Sequence, residues 1–164
     1  MSSCLSTARP TLSDQIPVGR IKRIVQVPMV LEICQRVTGM RFVAIAHVTD
    51  KKWLTCAALD EINLGLKPGD ELPLETTICN EVREHGTLVV FDDALADPHY
   101  SQHQTPKLYN FRSYISVPIF TPDGEFFGTL CAIDPEPRAL NNDETIGMFR
   151  LFADLIGAQL KLTA

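Results

Sequence analysis

Hydrophobic positions change their period along the chain, and each change marks an element. In residues 111–119 and again in 126–133 apolar side chains recur at every second place, the rhythm of strands with one buried face. Ile115, Val117 and Ile119 share one side of the first run, and Tyr114, Ser116 and Pro118 share the other. In the second run Leu130 and Ala132 alternate with Thr129, Cys131 and Ile133. Thr121-Pro122-Asp123-Gly124 between them has tight-turn composition, so the segment predicts an antiparallel hairpin. One side of each strand is purely apolar, as packing requires. The other mixes hydroxyls, a thiol and small residues, and is a candidate pocket lining.

Upstream, Ile21, Ile24, Val25, Val30, Leu31, Ile33, Cys34 and Val37 follow a helical period. Pro28 cannot continue a helix without a kink, so the pattern predicts two helical pieces or one helix starting near Val27, stopped by Gly39. Residues 40–48 and 53–59 predict a first hairpin around Thr49-Asp50-Lys51-Lys52. Residues 60–72, with Gly65, Pro68 and Gly69, read as a loop. Residues 75–85 read as a short helix with a Thr cap, ended by Gly86, and residues 88–91 as a short buried strand. Residues 92–110 are irregular; a connection this long inside a compact domain is functional or locally helical.

Residues 143–161 predict the closing helix, capped by Asn142, with Asp143 and Glu144 at its positive end. It carries two apolar stripes, Ile146, Phe149, Phe152, Ile156 and Leu160 on one and Met148, Leu151, Leu155 and Leu162 on the other. One stripe covers a sheet. The second is expected to meet a partner helix, from a second copy of the chain. Residues 1–19 are expected to be a flexible tail, with room for a helical turn opening at Thr11-Leu12-Ser13-Asp14, and residues 20–164 a single domain.

Composition narrows the function classes. With 164 residues the chain suits one domain, and 45% hydrophobic with 21% charged residues is ordinary for a globular protein. A net charge of −5, with Arg20, Lys22 and Arg23 as the only dense basic patch, excludes a nucleic-acid or membrane-surface binder. Five cysteines, odd in number and without a C-x-x-C pair, read as reduced thiols of a cytoplasmic protein. Residues 1–18 lack the apolar core of a signal peptide, and no run approaches the ~20 apolar residues of a membrane span.

Ser113-Tyr114-Ile115-Ser116-Val117-Pro118-Ile119, then Gly124, then Phe127-Gly128-Thr129-Leu130-Cys131-Ala132-Ile133-Asp134, resembles the GAF family. The likeness runs over residues 20–163 and includes Leu140-Asn141-Asn142-Asp143-Glu144 before the last helix; it is similar above all to GAF sensor segments of bacterial histidine kinases. It implies an α/β (α+β) fold, GAF/PAS-like, with a central mixed antiparallel sheet of five or six strands. Terminal helices would cover one face, and a short helix plus a long loop the other. It further implies a non-catalytic sensory or regulatory domain in signal transduction, such as a two-component system. Such a domain binds an unknown small molecule, forms a homodimer through its terminal helices, and feeds an attached or partner kinase whose own residues are absent here.

The residues expected to face such a ligand are Phe42, Ala44, Thr55, Cys79, Tyr100, Tyr109, Tyr114, Ser116, Thr129 and Cys131. Small side chains there leave volume, and hydroxyls orient a ligand in an apolar cavity. The competing reading is that Tyr100, Leu108 and Tyr109 fold in and fill the space. No cofactor is assigned. Bilin-binding relatives use a cysteine followed by His, and the corresponding Tyr100-Ser101-Gln102-His103 holds no cysteine, which excludes that thioether. A subgroup reduces free methionine sulfoxide with several cysteines. Cys79 falls near one of them, but Glu71 and Asn110 stand at the others, and Tyr114 and Cys131 stand where acids are expected. Cys79 is therefore expected to be a core residue, without a resolving partner and without a lowered pKa. His99 and His103, four apart near Asp92, Asp93 and Asp97, form a weak metal pattern better read as a solvated loop. Asn141-Asn142-Asp143-Glu144 looks similar to part of a cyclic-nucleotide signature, and helix capping explains it fully.

Overall fold

The computed structural model describes residues 11–162. Six strands form one antiparallel sheet: β1 (Phe42–Val48), β2 (Lys52–Asp60), β3 (Glu71–Pro73), β4 (Val89–Phe91), β5 (Ser113–Phe120) and β6 (Phe126–Asp134). Their order across the sheet is β3-β2-β1-β6-β5-β4. Helices α1 (Leu12–Lys22), α2 (Val27–Thr38) and α5 (Asp143–Leu162) pack on one face, and α3 (Cys79–His85) with α4 (Gln104–Leu108) lies over the other.

The alternation read from the sequence decides which side chain meets which layer. Ile115, Val117, Ile119, Leu130 and Ala132 are buried against Phe149, Ile156 and Leu160 of α5 and against α2. Tyr114, Cys131 and Ile133 face a second cluster with Phe42, Ala44, Trp53, Ile78 and Cys79. Each fully buried aliphatic or aromatic side chain contributes about 1.5–3 kcal/mol, so a one-residue slip of β5 against β6 would exchange the two clusters. The register places Ser116 opposite Cys131 and Tyr114 opposite Ile133.

Local signals hold where a single residue decides the backbone. Pro28 sits in the first turn of α2, where its missing N–H has no intrahelical partner in any case. Gly39 closes that helix with φ +76°, its N–H donating to the Gln35 carbonyl at 2.7 Å. Asn142 Oδ1 accepts from the Thr145 N–H at 2.9 Å and caps α5.

Three expectations need correction. Residues 11–19 include a helix start, not only tail: Thr11 Oγ1 accepts from the Asp14 N–H and Asp14 Oδ2 accepts from the Thr11 N–H, both at 3.2 Å, a capping box that opens α1. Asp14 is also buried against Lys52 of β2, and Arg20 donates to the Leu160 carbonyl at 2.7 Å. Residues 1–10 lie outside the described residues. The stretch 60–72 ends in β3, which pairs with Lys52–Leu54; the Asp60 carboxylate accepts from the N–H groups of Ile62, Leu64 and Gly65 at 2.8–3.1 Å and shapes the loop before it. The helix expected at 75–85 splits into a 3-10 turn, Leu74–Thr76, and α3 proper. Thr77 caps nothing, because its hydroxyl donates back to the Leu74 carbonyl at 2.9 Å.

Candidate functional site

α3 crosses the open face of the sheet with Ile78, Cys79 and Val82 pressed inward. Cys79 Sγ stands at the centre of a ring of hydroxyls. Thr129 Oγ1 donates to it at 3.3 Å, and Tyr114 OH and Ser116 Oγ lie at 3.2 and 3.5 Å. Tyr114 and Ser116 come from alternate positions of β5, Thr129 from the same face of adjacent β6, so the pleat brings all three to one spot. Cys131, opposite Ser116 and two residues beyond Thr129, lies on the same face of the sheet and borders the same cavity as Cys79.

These neighbours set the electrostatics. The Cys131 thiol is the largest influence holding the Cys79 thiol below its ordinary range; burial opposes it, and the Ser116, Thr129 and Tyr114 hydroxyls reinforce it. Cys131 moves well above the usual thiol range, first because it donates to Cys79 and then because it is buried. Of the two thiols Cys79 is the more acidic. This corrects the expectation of an unperturbed core thiol without a partner, since the fold supplies a second thiol that lies 52 residues away in the chain (131 − 79).

Beside this ring lies a cavity of about 50 Å³. Phe42, Trp53, Leu66, Ile78, Phe111 and Ile133 give it apolar walls, with Cys79, Tyr114 and Cys131 on one side. Tyr109 folds over it and is fixed by a 2.6 Å hydrogen bond between its hydroxyl and Thr76. Thr105, on α4, also lines it; its hydroxyl is buried and has no hydrogen-bond partner.

Of the ten residues expected at a ligand site, the structure puts Phe42, Cys79, Tyr109, Tyr114 and Cys131 on the cavity wall. Ser116 and Thr129 hold Cys79 without reaching the wall. Ala44 is packed into the same apolar cluster. Thr55 is buried beside the bulge between β1 and β2, its hydroxyl unpartnered, away from the cavity. Tyr100 is the clear displacement: it stacks on Phe91 with ring centres 4.5 Å apart and donates its hydroxyl to Glu81 at 3.1 Å, outside the cavity. Thr105, Ile78 and Trp53 are wall residues that sequence reasoning missed; only Trp53, in an alternating strand next to Thr55, carried a periodic signal.

The histidine pattern dissolves into a clasp. His103 Nε2 and Glu81 Oε2 are 3.0 Å apart while its Nδ1 accepts from the Thr105 N–H at 3.2 Å, so the ring bridges α3 and the start of α4. Asp93 pairs with Arg112, Asp97 accepts from the His99 and Tyr100 N–H groups, and Asp92 accepts from the Leu140 and Asn141 N–H groups. Among the described residues no group of three metal-ligating side chains converges. None of their helices is long and apolar enough to cross a membrane.

A central antiparallel sheet carries end helices on one face and, on the other, a cavity beside the irregular flap of residues 92–110. The GAF domain profile matches residues 24–160, and the chain belongs to that family. No curated protein matches the sequence. Among solved structures, a type II free methionine-R-sulfoxide reductase from Thermoplasma acidophilum is similar with TM-score 0.65 and 17% identity, over 90% of this chain and 96% of that one. The GAF domain of an Acinetobacter phosphoenolpyruvate-protein phosphotransferase gives TM-score 0.62 and 13% identity, over 93% and 95%. The chromophore-binding domain of a bacteriophytochrome from R. palustris gives 0.65 and 11%, over 92% of this chain and 61% of that one. At these identities the likeness establishes the fold.

Proposed function

We propose that this GAF domain is a non-catalytic sensory module of cytoplasmic signal transduction that binds a small, mostly apolar molecule. The observation that carries the reading is the cavity itself, walled by apolar side chains and bordered by Tyr109 and by Thr105 of α4. Filling the cavity would fix Tyr109 and α4. The same flap is tied through Asp92 to Leu140 and Asn141, at the entrance to α5, which gives occupancy a route to the terminal helices and a kinase output. Thermal shift and native mass spectrometry against a metabolite library test this. A compound should stabilise the wild type, and Thr105→Phe, whose larger side chain would occupy the cavity, should abolish that effect. A domain that no compound stabilises ends the reading.

A ligand-free homodimerisation module is the second reading, favoured by apolar exposure on the helical side: Leu151 66%, Met29 63% and Val37 61%. Leu151→Asp is expected to turn a dimer into a monomer in sedimentation while changing Tm little, because the side chain contributes nothing to the monomer's core. A third reading, thiol-dependent reduction of free methionine sulfoxide, rests on the acidic Cys79 and predicts turnover that Cys79→Ser abolishes.

A further inference from the structure

Two thiols meet on one wall of the cavity. Cys79 and Cys131 are only 3% and 4% exposed, yet both border open volume; Cys34 and Cys56 are packed on the helical side of the sheet. Burial alone pushes the thiols of Cys34 and Cys56 up to about 12, so they stay protonated and inert. Cys79 has the opposite surroundings: three hydroxyls within 3.5 Å of Sγ, one donating, and on the same cavity wall the thiol of Cys131, the cross-strand partner of Ser116. Donors arranged around a sulfur stabilise its anion, and the anion is the nucleophile. The adjoining volume admits one small molecule beside the two sulfurs.

We propose that Cys79 and Cys131 form an oxidisable pair that a small hydroperoxide converts to a disulfide. The Cys79 thiolate attacks the terminal oxygen of the hydroperoxide. An S–O bond forms, the O–O bond breaks, and the departing oxygen takes up the proton that Cys79 released, leaving as an alcohol, or as water from hydrogen peroxide. Cys131 then attacks the sulfur of the Cys79 sulfenic acid. The S–S bond forms, the S–O bond breaks, and hydroxide leaves with the Cys131 proton as a second product, water. Two thiols and one hydroperoxide thus give one disulfide, one alcohol and one water. The new bond ties α3 to the centre of the sheet and closes one side of the cavity. This inference goes beyond the ligand reading and does not depend on it.

The test uses the full chain, reduced, freed of reductant and treated with hydrogen peroxide. Peptide mapping is expected to find a Cys79–Cys131 linkage, lighter by two hydrogens, with Cys34 and Cys56 still open to alkylation after denaturation. In Cys131→Ser the reaction should stop at a Cys79 sulfenic acid that dimedone traps; in Cys79→Ser, Cys131 should resist oxidation. A wild-type chain that retains both thiols through millimolar peroxide overturns the proposal, as does a linkage to a different cysteine or equal dimedone labelling of the two variants. Should a variant fail to fold, the wild-type map alone decides. Failure of every library compound to bind would sink the ligand reading and leave the linkage result untouched.

Discussion

Gly128→Ala is expected to cost about 3–5 kcal/mol, a large fraction of the ~5–15 kcal/mol that stabilises an ordinary domain. A methyl carbon built at residue 128 would lie 1.8 Å from the Ala46 carbonyl oxygen, 2.8 Å from its carbon and 2.9 Å from the His47 Cα. All three are backbone atoms of β1, a strand paired on both sides, with β2 and with β6. A side chain in that place could rotate away; this backbone can retreat only by breaking two ladders. The glycine is required by the close approach of two chains, not by an unusual φ. Far-UV circular dichroism melts of Gly128→Ala beside Gly147→Ala measure the effect. Gly147 lies inside α5 with open space around its Cα, so alanine there should be neutral or stabilising by up to about 1 kcal/mol. If both variants melt with the wild type, the packing of β1 against β6 described above is wrong.

That glycine also shows what a sequence can disclose. Gly128-Thr129-Leu130 stood out as part of a familiar phrase, and alternation along β5 and β6 assigned their faces correctly because the two-residue period is a local property. The start of α2 at Val27 and the cap of α5 at Asn142 were legible for the same reason: one proline and one asparagine each decide a few dihedrals. Where a partner lies far off in the chain, the reading fails. α1 is held by Asp14 on Lys52 and Arg20 on the Leu160 carbonyl, and its own apolar stripe is weak. Tyr100 looked like a residue that would fold inward; Glu81 draws its hydroxyl to the rim of α3 instead. The ten-residue ligand set split along the same line. Tyr114 and Cys131 reach the cavity because strand alternation points them there, whereas Thr105 gave no signal in an irregular segment. The acidity of Cys79 depends first on Cys131 and then on hydroxyls 35, 37 and 50 residues away, and no local window contains them.

Asp134→Asn is the second large effect, and its pH dependence separates it from a simple packing loss. The Asp134 side chain is 0% exposed. Its Oδ1 accepts from the Arg41 N–H at 2.9 Å and Arg41 Nε at 3.0 Å; its Oδ2 accepts from Arg41 Nη2 at 3.0 Å, the Glu136 N–H at 3.0 Å and Arg138 Nη2 at 3.2 Å. The carboxylate therefore fastens together the entrance of β1, the end of β6 and the loop of residues 135–138 that follows it. Burial alone would raise its pKa, but the Arg41 hydrogen bond, the Glu136 and Arg41 backbone N–H groups and the charge of Arg138 together hold it at about 2, against 3.8 for a free aspartate. A carboxyl more acidic folded than unfolded stabilises the fold above the unfolded pKa, and that contribution fades as pH falls from about 4 towards 2, to vanish below it. Its size is on the order of 2 kcal/mol. Asparagine keeps the shape but turns an amide N–H₂ toward donors, so Asp134→Asn should be destabilised by about 2–3 kcal/mol at pH 7. Urea melts at pH 7, 4 and 2.5 give the decisive comparison. The gap between wild type and variant should be widest at pH 7 and narrow steadily towards pH 2.5, where the wild-type carboxyl begins to bind its proton. A gap that stays constant over that range would mean that shape, rather than charge, is what Asp134 contributes at the junction of β1 and β6.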